Sequence, residues 1–267
     1  MNKYNRERLA LLDSLRGLTL ISMILYHASW DAVYMAGADW PWYRSRAGFI
    51  WQQSICWTFI LLSGFCVPFS SRLLKRGLEV FGAGALVMLV TNLVLPEDRV
   101  IFGVLTLIGS CMLLFAFLKD AVGRIINSTR AASAALLVSA VLFILFRDVN
   151  SGVIGNGMLC RIFPRIPFWG VSMPPYLYKD LLTAYLGFPP AGFYSTDYFS
   201  LLPWCFLYFC GYALHILCRE CGAFQSRIFK ADCRPLSFLG RNSLMIYLLH
   251  QPVLYLFVLL YGALQQI

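Results

Sequence analysis

Charged residues are scarce in this sequence, and their scarcity limits the class of protein that it encodes. Only 13% of the 267 residues are charged, whereas 59% are hydrophobic. An ordinary soluble domain is about 25% charged, so the composition excludes that class and indicates lipid as the solvent. Internal repeats and low-complexity tracts are lacking as well. We therefore expect one integral membrane domain over residues 1–267.

Long apolar runs are abundant. A membrane-spanning helix needs about 20 mostly apolar residues, and the runs predict an all-α polytopic membrane protein with about seven transmembrane helices. The segment before the first run is charged and polar and has no small-residue cleavage site, so we expect this span to be retained and not removed as a signal peptide. The predicted spans are 10–28, 48–70, 77–95, 100–118, 131–147, 199–217 and 242–263.

The distribution of the 22 Lys and Arg residues predicts the orientation of these helices. Most of them lie at the N-terminus and in the connections that seven spans place on the same side. The positive-inside rule then puts the N-terminus inside and the C-terminus outside. The net charge of +9 favours anionic lipid as a partner. Nucleic acid is not expected as a partner, because no aromatic-basic motif is present.

One outer connection, 148–198, is too long for a simple helical bundle. Loops longer than about 15 residues are usually functional or disordered, and the many apolar and aromatic residues here argue against disorder. We expect this connection to fold back on itself, with a short helix near 176–186. A further span near 152–171 is the alternative. The connection is rich in proline, at Pro164, Pro167, Pro174, Pro175, Pro189 and Pro190.

Two charged residues lie near the start of the first span. Asp13 and Arg16 are three residues apart and therefore share one face of a helix. Charges in a span are costly and suggest a functional site by default. Two interpretations remain open: a structural pair at the helix end, or an Arg16 that faces an anionic cofactor group while Asp13 holds its side chain in place.

His27 is one of only three histidines in the sequence. It lies about 16 Å along the helix from Arg16, near the predicted outer end of the span, and Asp31 follows one turn later. A histidine with an orienting carboxylate can act as a general base. The alternative is an interfacial histidine beside Trp30 at the level of the lipid headgroups.

His250 lies in the last predicted span. If that span begins near Arg241, His250 is about 13 Å along it, close to the middle of the membrane and at a different depth from His27. Gln251 and Pro252 follow directly, so three features unsuited to lipid are adjacent. A substrate or proton contact is one interpretation, and a buried neutral histidine is the other.

His215, Cys218, Cys221 and Cys233 resemble a zinc-ligand pattern, but the second half has one ligand where zinc ribbons have two. Free thiols are the favoured interpretation. No metal site is therefore expected.

Five segments occur in one order across nearly the whole chain, and together they resemble a known family. Residues 11–31 read "LLDSLRGLTLISMILYHASWD" and 59–65 read "FILLSGF". They are followed by "IFGVLTLIGSCMLL" (101–114), "YLGFPPAGFYSTDYFSLLPWCFLYFCGYAL" (185–214) and "PLSFLGRNSLMIYLLHQPVLY" (235–255). The chain resembles a bacterial member of the heparan-α-glucosaminide N-acetyltransferase catalytic-domain family. The "DYF" and "LLPW" stretch and the closing "LGRNSLMIYLLHQP" are the most specific parts.

The resemblance implies transfer of an acetyl or other acyl group from cytosolic acyl-CoA, across the membrane, to an amino or hydroxyl group of a sugar or envelope glycan. Arg offers a rigid fork that matches phosphate, so Arg16, held by Asp13, is expected to bind the phosphates of acyl-CoA. His27, oriented by Asp31, would be the general base, and His250 would contact the acyl thioester. The further candidates for phosphate binding are Arg72, Lys75, Arg76 and Arg241.

The sequence departs from this family in two places. The lysosomal relatives carry their catalytic histidine in the loop after the first span, whereas His27 occupies the end of the helix itself. Relatives often have a histidine where this chain has Thr106. His27 could therefore be the base or a positioning residue. The alternative function is a transporter or flippase of a small anionic or lipid-linked substrate, but the inverted repeats frequent in transporters are not visible. A homo-oligomer is compatible with the sequence.

Overall fold

The computed structural model describes residues 9–265 and is mostly helical. The basic residues Lys3, Arg6 and Arg8, which the sequence places inside, lie outside the described residues. The described helices are α1 (Ala10–Tyr34), α2 (Arg46–Cys66), α3 (Leu73–Val94), α4 (Val104–Ile125), α5 (Thr129–Leu145), α6 (Gly157–Ile162), α7 (Leu181–Leu186), α8 (Leu201–Glu220), α9 (Arg234–Arg241) and α10 (Ser243–Gln265).

Within the described residues, six helices are long and apolar enough to cross a membrane. They are α2, α3, α4, α5, α8 and α10, and each overlaps one predicted span. The remaining predicted span, 10–28, corresponds to α1, a continuous helix of 25 residues. It is long enough to cross a membrane but is not one of the six, because its charged and polar side chains lower its hydropathy.

The long connection 148–198 contains no membrane-length helix. Strand β1 (Val153–Gly155) pairs antiparallel with β2 (Gly170–Ser172), and the short α6 lies between them. The alternative of a further span near 152–171 is wrong, because this pairing brings the two ends of the segment together. The expected short helix near 176–186 is confirmed by α7, which begins at a capping box formed by Asp180 and Thr183.

The chain forms two compact units. One consists of Met1–Leu62 and Gly222–Ile267, and the other of Ser63–Cys221. In the second unit α3 packs against α4, and α5 packs against α8. A Cβ atom at Gly84 would lie 2.6 Å from the backbone nitrogen of Thr106, and one at Gly109 would lie 2.5 Å from that of Phe81. Small residues of this kind allow helix backbones to approach closely in membranes.

Two loops of the second unit are joined at the start of α4. The hydroxyl of Ser195 donates to the carbonyl of Ile101 at 3.0 Å and accepts from the N–H of the same residue at 2.9 Å. The N–H of Phe199 donates to the carbonyl of Phe102 at 2.8 Å. Thr106, in the first turn of α4, donates to the carbonyl of Gly103 at 2.6 Å. These hydrogen bonds join two of the family-like segments, 101–114 and 185–214.

Asp197 lies between these loops at the N-terminus of α4. Burial raises the pKa of its carboxyl group from 3.8 to about 6, although a hydrogen bond from the backbone N–H of Val104 acts in the opposite direction. The folded protein therefore binds a proton more tightly here than the unfolded chain does. Since the folded-state pKa is the higher one, the free energy of unfolding should fall as the pH rises from about 4 to about 6.

We predict that Asp197→Asn removes this pH dependence, because asparagine keeps an oxygen for the Val104 N–H but carries no charge. In detergent, the thermal midpoint of the variant should equal that of the wild type near pH 4 and exceed it at pH 7. Asp120→Asn, at an exposed position of α4, is the control and should leave the pH profile unchanged. Parallel profiles for Asp197→Asn and wild type would contradict the prediction.

Candidate functional site

The site is built in the first unit, where the backbones of α1 and α9 touch. A Cβ atom at Gly17 would lie 2.0 Å from the carbonyl oxygen of Leu236, and one at Gly240 would lie 1.9 Å from that of Asp13. No side chain fits at either position. Gly17 lies beside the start of α9 and Asp13 beside its end, so the two helices run in opposite directions along this contact.

A buried set of hydrogen bonds fixes the register of the same contact. The hydroxyls of Ser14 and Ser237 are 2.8 Å apart, and the N–H of Cys233 donates to the Ser14 hydroxyl at 3.2 Å. Ser237 also lies 2.5 Å from Oδ1 of Asp232. Because buried polar groups are costly without partners, this set favours one relative position of α1 and α9.

Asp13 and Arg16 are paired, as their spacing predicts. Nη1 of Arg16 lies 3.2 Å from Oδ1 of Asp13, and both side chains are partly buried. Arg241 directly follows Gly240, whose backbone touches Asp13, so three of the predicted cofactor-binding residues belong to one end of this unit. Arg72, Lys75 and Arg76 belong to the second unit, at the start of α3. Their contribution to a common site stays a prediction.

The chain reverses at Asn242, and α10 then runs alongside α1. Leu20, Met23 and Ile55 form a buried apolar core, against which Ile246 and Tyr247 of α10 pack. Further along, residues near 254 of α10 lie beside residues near 28 of α1. The two helices therefore run in the same direction, and positions on one can be matched with positions on the other.

This packing brings His27 and His250 together. Their ring centroids are 5.0 Å apart. The expectation that the two histidines lie at different depths is wrong. His27 lies about 16 Å of helix beyond Arg16, and His250 lies about 10 Å of helix beyond Ser243, the first residue of α10. Because α10 begins at the same end of α1 as Arg16 and runs in the same direction, both histidines are carried away from that end and lie side by side.

His250 has a defined tautomer. Its Nδ1 lies 2.5 Å from the carbonyl oxygen of Tyr247, which can only accept, so Nδ1 carries the proton and Nε2 carries the lone pair. His250 is only 9% exposed, and its Nε2 has no hydrogen-bond partner among the described residues. A neutral imidazole in this state can accept a proton from a bound molecule.

Asp31 is joined to α10. Its Oδ1 accepts a hydrogen bond from Nε2 of Gln251 at 3.1 Å, and the residue is 1% exposed. The predicted orientation of His27 by Asp31 stays a prediction, whereas the Gln251 bond is a contact that sequence reasoning missed. The polar Gln251 beside His250 indicated an unusual position but not its partner, which lies 220 residues away in the sequence.

An aromatic cluster extends from one side of His27. The ring of Tyr26 lies 5.9 Å from that of His27, 5.1 Å from that of Tyr43 and 5.3 Å from that of Trp51. The indole N–H of Trp51 donates to the hydroxyl of Ser22 at 2.8 Å. Sequence reasoning did not include these rings in the site, although the dense aromatic stretch between Trp40 and Tyr43 was a signal. The cluster gives the histidine pair a firm, largely apolar wall.

The residues of the zinc-like pattern have other surroundings. The ring of His215 packs on Phe65 at 5.1 Å and on Phe69 at 4.6 Å. Cys218 and Cys221 are free thiols, and so is Cys233. In the part of the chain that the structure describes, no group of three or more potential ligands is arranged to hold a metal ion.

Taken together, these features define a helical membrane protein in which two histidines, from helices far apart in the sequence, lie side by side. Comparison with protein families is more specific. The family described as "Heparan-alpha-glucosaminide N-acetyltransferase, catalytic" matches residues 8–252. The chain belongs to this family, as the five segments indicated, and the match extends through both units. No curated protein and no solved structure matches the chain.

We predict that Gly240→Ala destabilises the first unit, because the added methyl group would collide with the Asp13 carbonyl. Overpacking of this kind typically costs about 1–3 kcal/mol. Gly82→Ala is the matched control, since a Cβ at this helical position meets nothing within 4 Å. Thermal unfolding in detergent should give a lower midpoint for Gly240→Ala and an unchanged or higher one for Gly82→Ala. Equal midpoints for the two variants would rule out the close contact.

Proposed function

We propose that this protein is a transmembrane acyltransferase that moves an acetyl or other acyl group from cytosolic acyl-CoA to an amino or hydroxyl group of a sugar or envelope glycan on the outer side. Residues 1–267 would act as one domain in a bacterial inner membrane, with the N-terminus inside. Family membership supports acetyl transfer as the reaction class. The adjacent His27 and His250 rings are the observation that supports a reaction centre.

The acyl-CoA end is assigned to the residues around Arg16. The Asp13 carboxylate holds the Arg16 guanidinium near the end of α9, and Arg241 adds a second cation there. A guanidinium binds phosphate oxygens in pairs. Arg72, Lys75 and Arg76 are proposed as further phosphate contacts.

The proposed chemistry follows from the tautomer of His250, which leaves the lone pair on Nε2. Nε2 accepts the proton of the attacking amine or hydroxyl, whose nitrogen or oxygen bonds to the thioester carbonyl carbon. The carbon–sulfur bond then breaks, and the proton passes from Nε2 to the sulfur, so that coenzyme A leaves as a thiol. Tyr247 fixes the tautomer through its carbonyl. His27, with Asp31 one helical turn further on, is the positioning residue: its ring lies against the ring of His250 and holds it in place. This division of roles exchanges the two histidines relative to the sequence prediction.

We predict that Arg16→Lys weakens CoA binding about tenfold although the charge is kept, because lysine cannot form the paired bonds of a guanidinium. Isothermal calorimetry with CoA on the purified protein measures the change. Arg161→Lys is the matched control, since Arg161 also pairs with an aspartate, Asp148, but lies in the outer connection. If Arg16→Ala retained normal CoA affinity, the Asp13–Arg16 pair would be structural only.

We predict that His250→Ala lowers turnover by about 10²–10⁴-fold, the usual contribution of a general base, with CoA affinity unchanged. The assay follows label from radiolabelled acetyl-CoA into amino sugars and envelope glycans. His27→Ala should cost less, and His215→Ala, in the second unit, should keep normal turnover. If His27→Ala abolished turnover while His250→Ala retained it, His27 would be the base, as its pairing with Asp31 in the sequence suggested.

A further inference from the structure

The contact between α1 and α10 leaves a groove, which we call the α1–α10 groove. It consists of two clefts of about 250 and 210 Å³. Leu254 lines both clefts, so they are adjacent. Ile24, Ile246, Leu249, His250 and Val253 complete the first; Ala28, Asp31, Ala32, Ala36, Phe257 and Val258 complete the second.

Small residues line the far part of the groove. Ala28 and Ala32 are one helical turn apart on α1, Ala36 follows just after the helix ends at Tyr34, and large aliphatic and aromatic side chains of α10 line the other side. Apart from His250 and Asp31, all the lining side chains are apolar. An occupant of the groove must therefore be mostly hydrocarbon and carry a polar group at one place.

The polar atoms of the groove determine what that polar group can be. His250 lines the first cleft, and its buried Nε2 carries a lone pair and has no partner among the described residues. The occupant must supply a hydrogen-bond donor, such as an amine or a hydroxyl. An acyl thioester has no donor. The groove therefore fits the molecule that receives the acyl group better than the acyl chain of the donor.

The groove also has an apolar rim. Leu249 is 56% exposed, Val253 49% and Phe257 65%. On a membrane-spanning helix such as α10, exposed residues of this kind suit hydrocarbon better than water. A molecule with a hydrocarbon chain can enter here from the side, directly from the surrounding lipid.

On these grounds, and given the proposed acyltransferase function, we propose that the acyl acceptor is a lipid-linked amine or sugar. Its amino or hydroxyl group binds at Nε2 of His250, and its hydrocarbon chain lies along Ala28, Ala32 and Ala36. A water-soluble glycan would leave this apolar half of the groove unfilled. The acceptor thus belongs to the membrane itself.

Photo-crosslinking tests the location directly. The purified protein is placed in nanodiscs of phosphatidylcholine, a lipid without hydrogen-bond donors. The probe is dodecyl glucosaminide with a diazirine in its alkyl chain. We expect saturable labelling within 24–36 and 246–258, displaced by excess dodecyl glucosaminide but not by methyl glucosaminide. Ala32→Phe, which fills the groove, should lower this labelling at least tenfold. Leu89→Phe, at a 57% exposed position of α3, should not change it.

Labelling that does not saturate, or that is equal on all exposed helices, would mean that only bulk lipid covers the groove and would overturn the inference. An acetyl-transfer assay on the same samples separates this inference from the function. Transfer to methyl glucosaminide without labelling of the groove would overturn the inference and leave the acyltransferase proposal intact. Labelling without transfer to either sugar would refute the acyltransferase proposal, and with it the acceptor role, and would leave only a groove that binds an alkyl glycoside.

Discussion

The close backbone contact between α1 and α9 is the constraint on which the rest of the site depends. Gly17 and Gly240 bring carbonyl oxygens to positions that any side chain would occupy. This contact sets where Asn242 reverses the chain, and hence the register in which α10 runs along α1. A shift of one helical turn, about 5.4 Å, would separate His250 from His27 and Gln251 from Asp31. The position of the histidine pair thus depends on two residues that have no side chain.

Within this frame, the polar groups of the first unit are mostly paired. Ser14 bonds to Ser237, Asp13 to Arg16, and Asp31 to Gln251. Pairing is expected where the surroundings are hydrocarbon, because an unpaired polar group there is costly. Nε2 of His250 and Oε1 of Gln251 are different, since no described residue donates to either atom. A protein keeps such an atom at a cost in stability, and the cost is offset when a substrate provides the missing donor.

The sequence predicted features that depend on local spacing. Apolar runs located the six helices that, among the described residues, are both long and apolar enough to span a membrane. A separation of three residues predicted the Asp13–Arg16 pair. The adjacency of His27 and His250 could not be predicted in this way, because it depends on the reversal at Asn242 and on a glycine contact between distant segments. The Gln251–Asp31 bond has the same origin. The polar character of α1 was visible in its sequence, yet its effect on the hydropathy of that helix was underestimated.

The distance along α1 from the proposed phosphate contact at Arg16 to the histidine pair also limits which acyl donor could react there. Arg16 and His27 are about 16 Å apart along one helix, and α10, which runs in the same direction from Ser243, brings His250 beside His27. A donor bound through its phosphates at Arg16 must carry its acyl group at the end of a long arm to react beside His250. Coenzyme A has such an arm between its phosphates and its thioester. In an acyl phosphate the phosphate is bonded directly to the acyl carbon, so it could not bind at Arg16 and react at His250. The spacing imposed by the glycine contact therefore favours a thioester of coenzyme A over the simpler activated acyl donors.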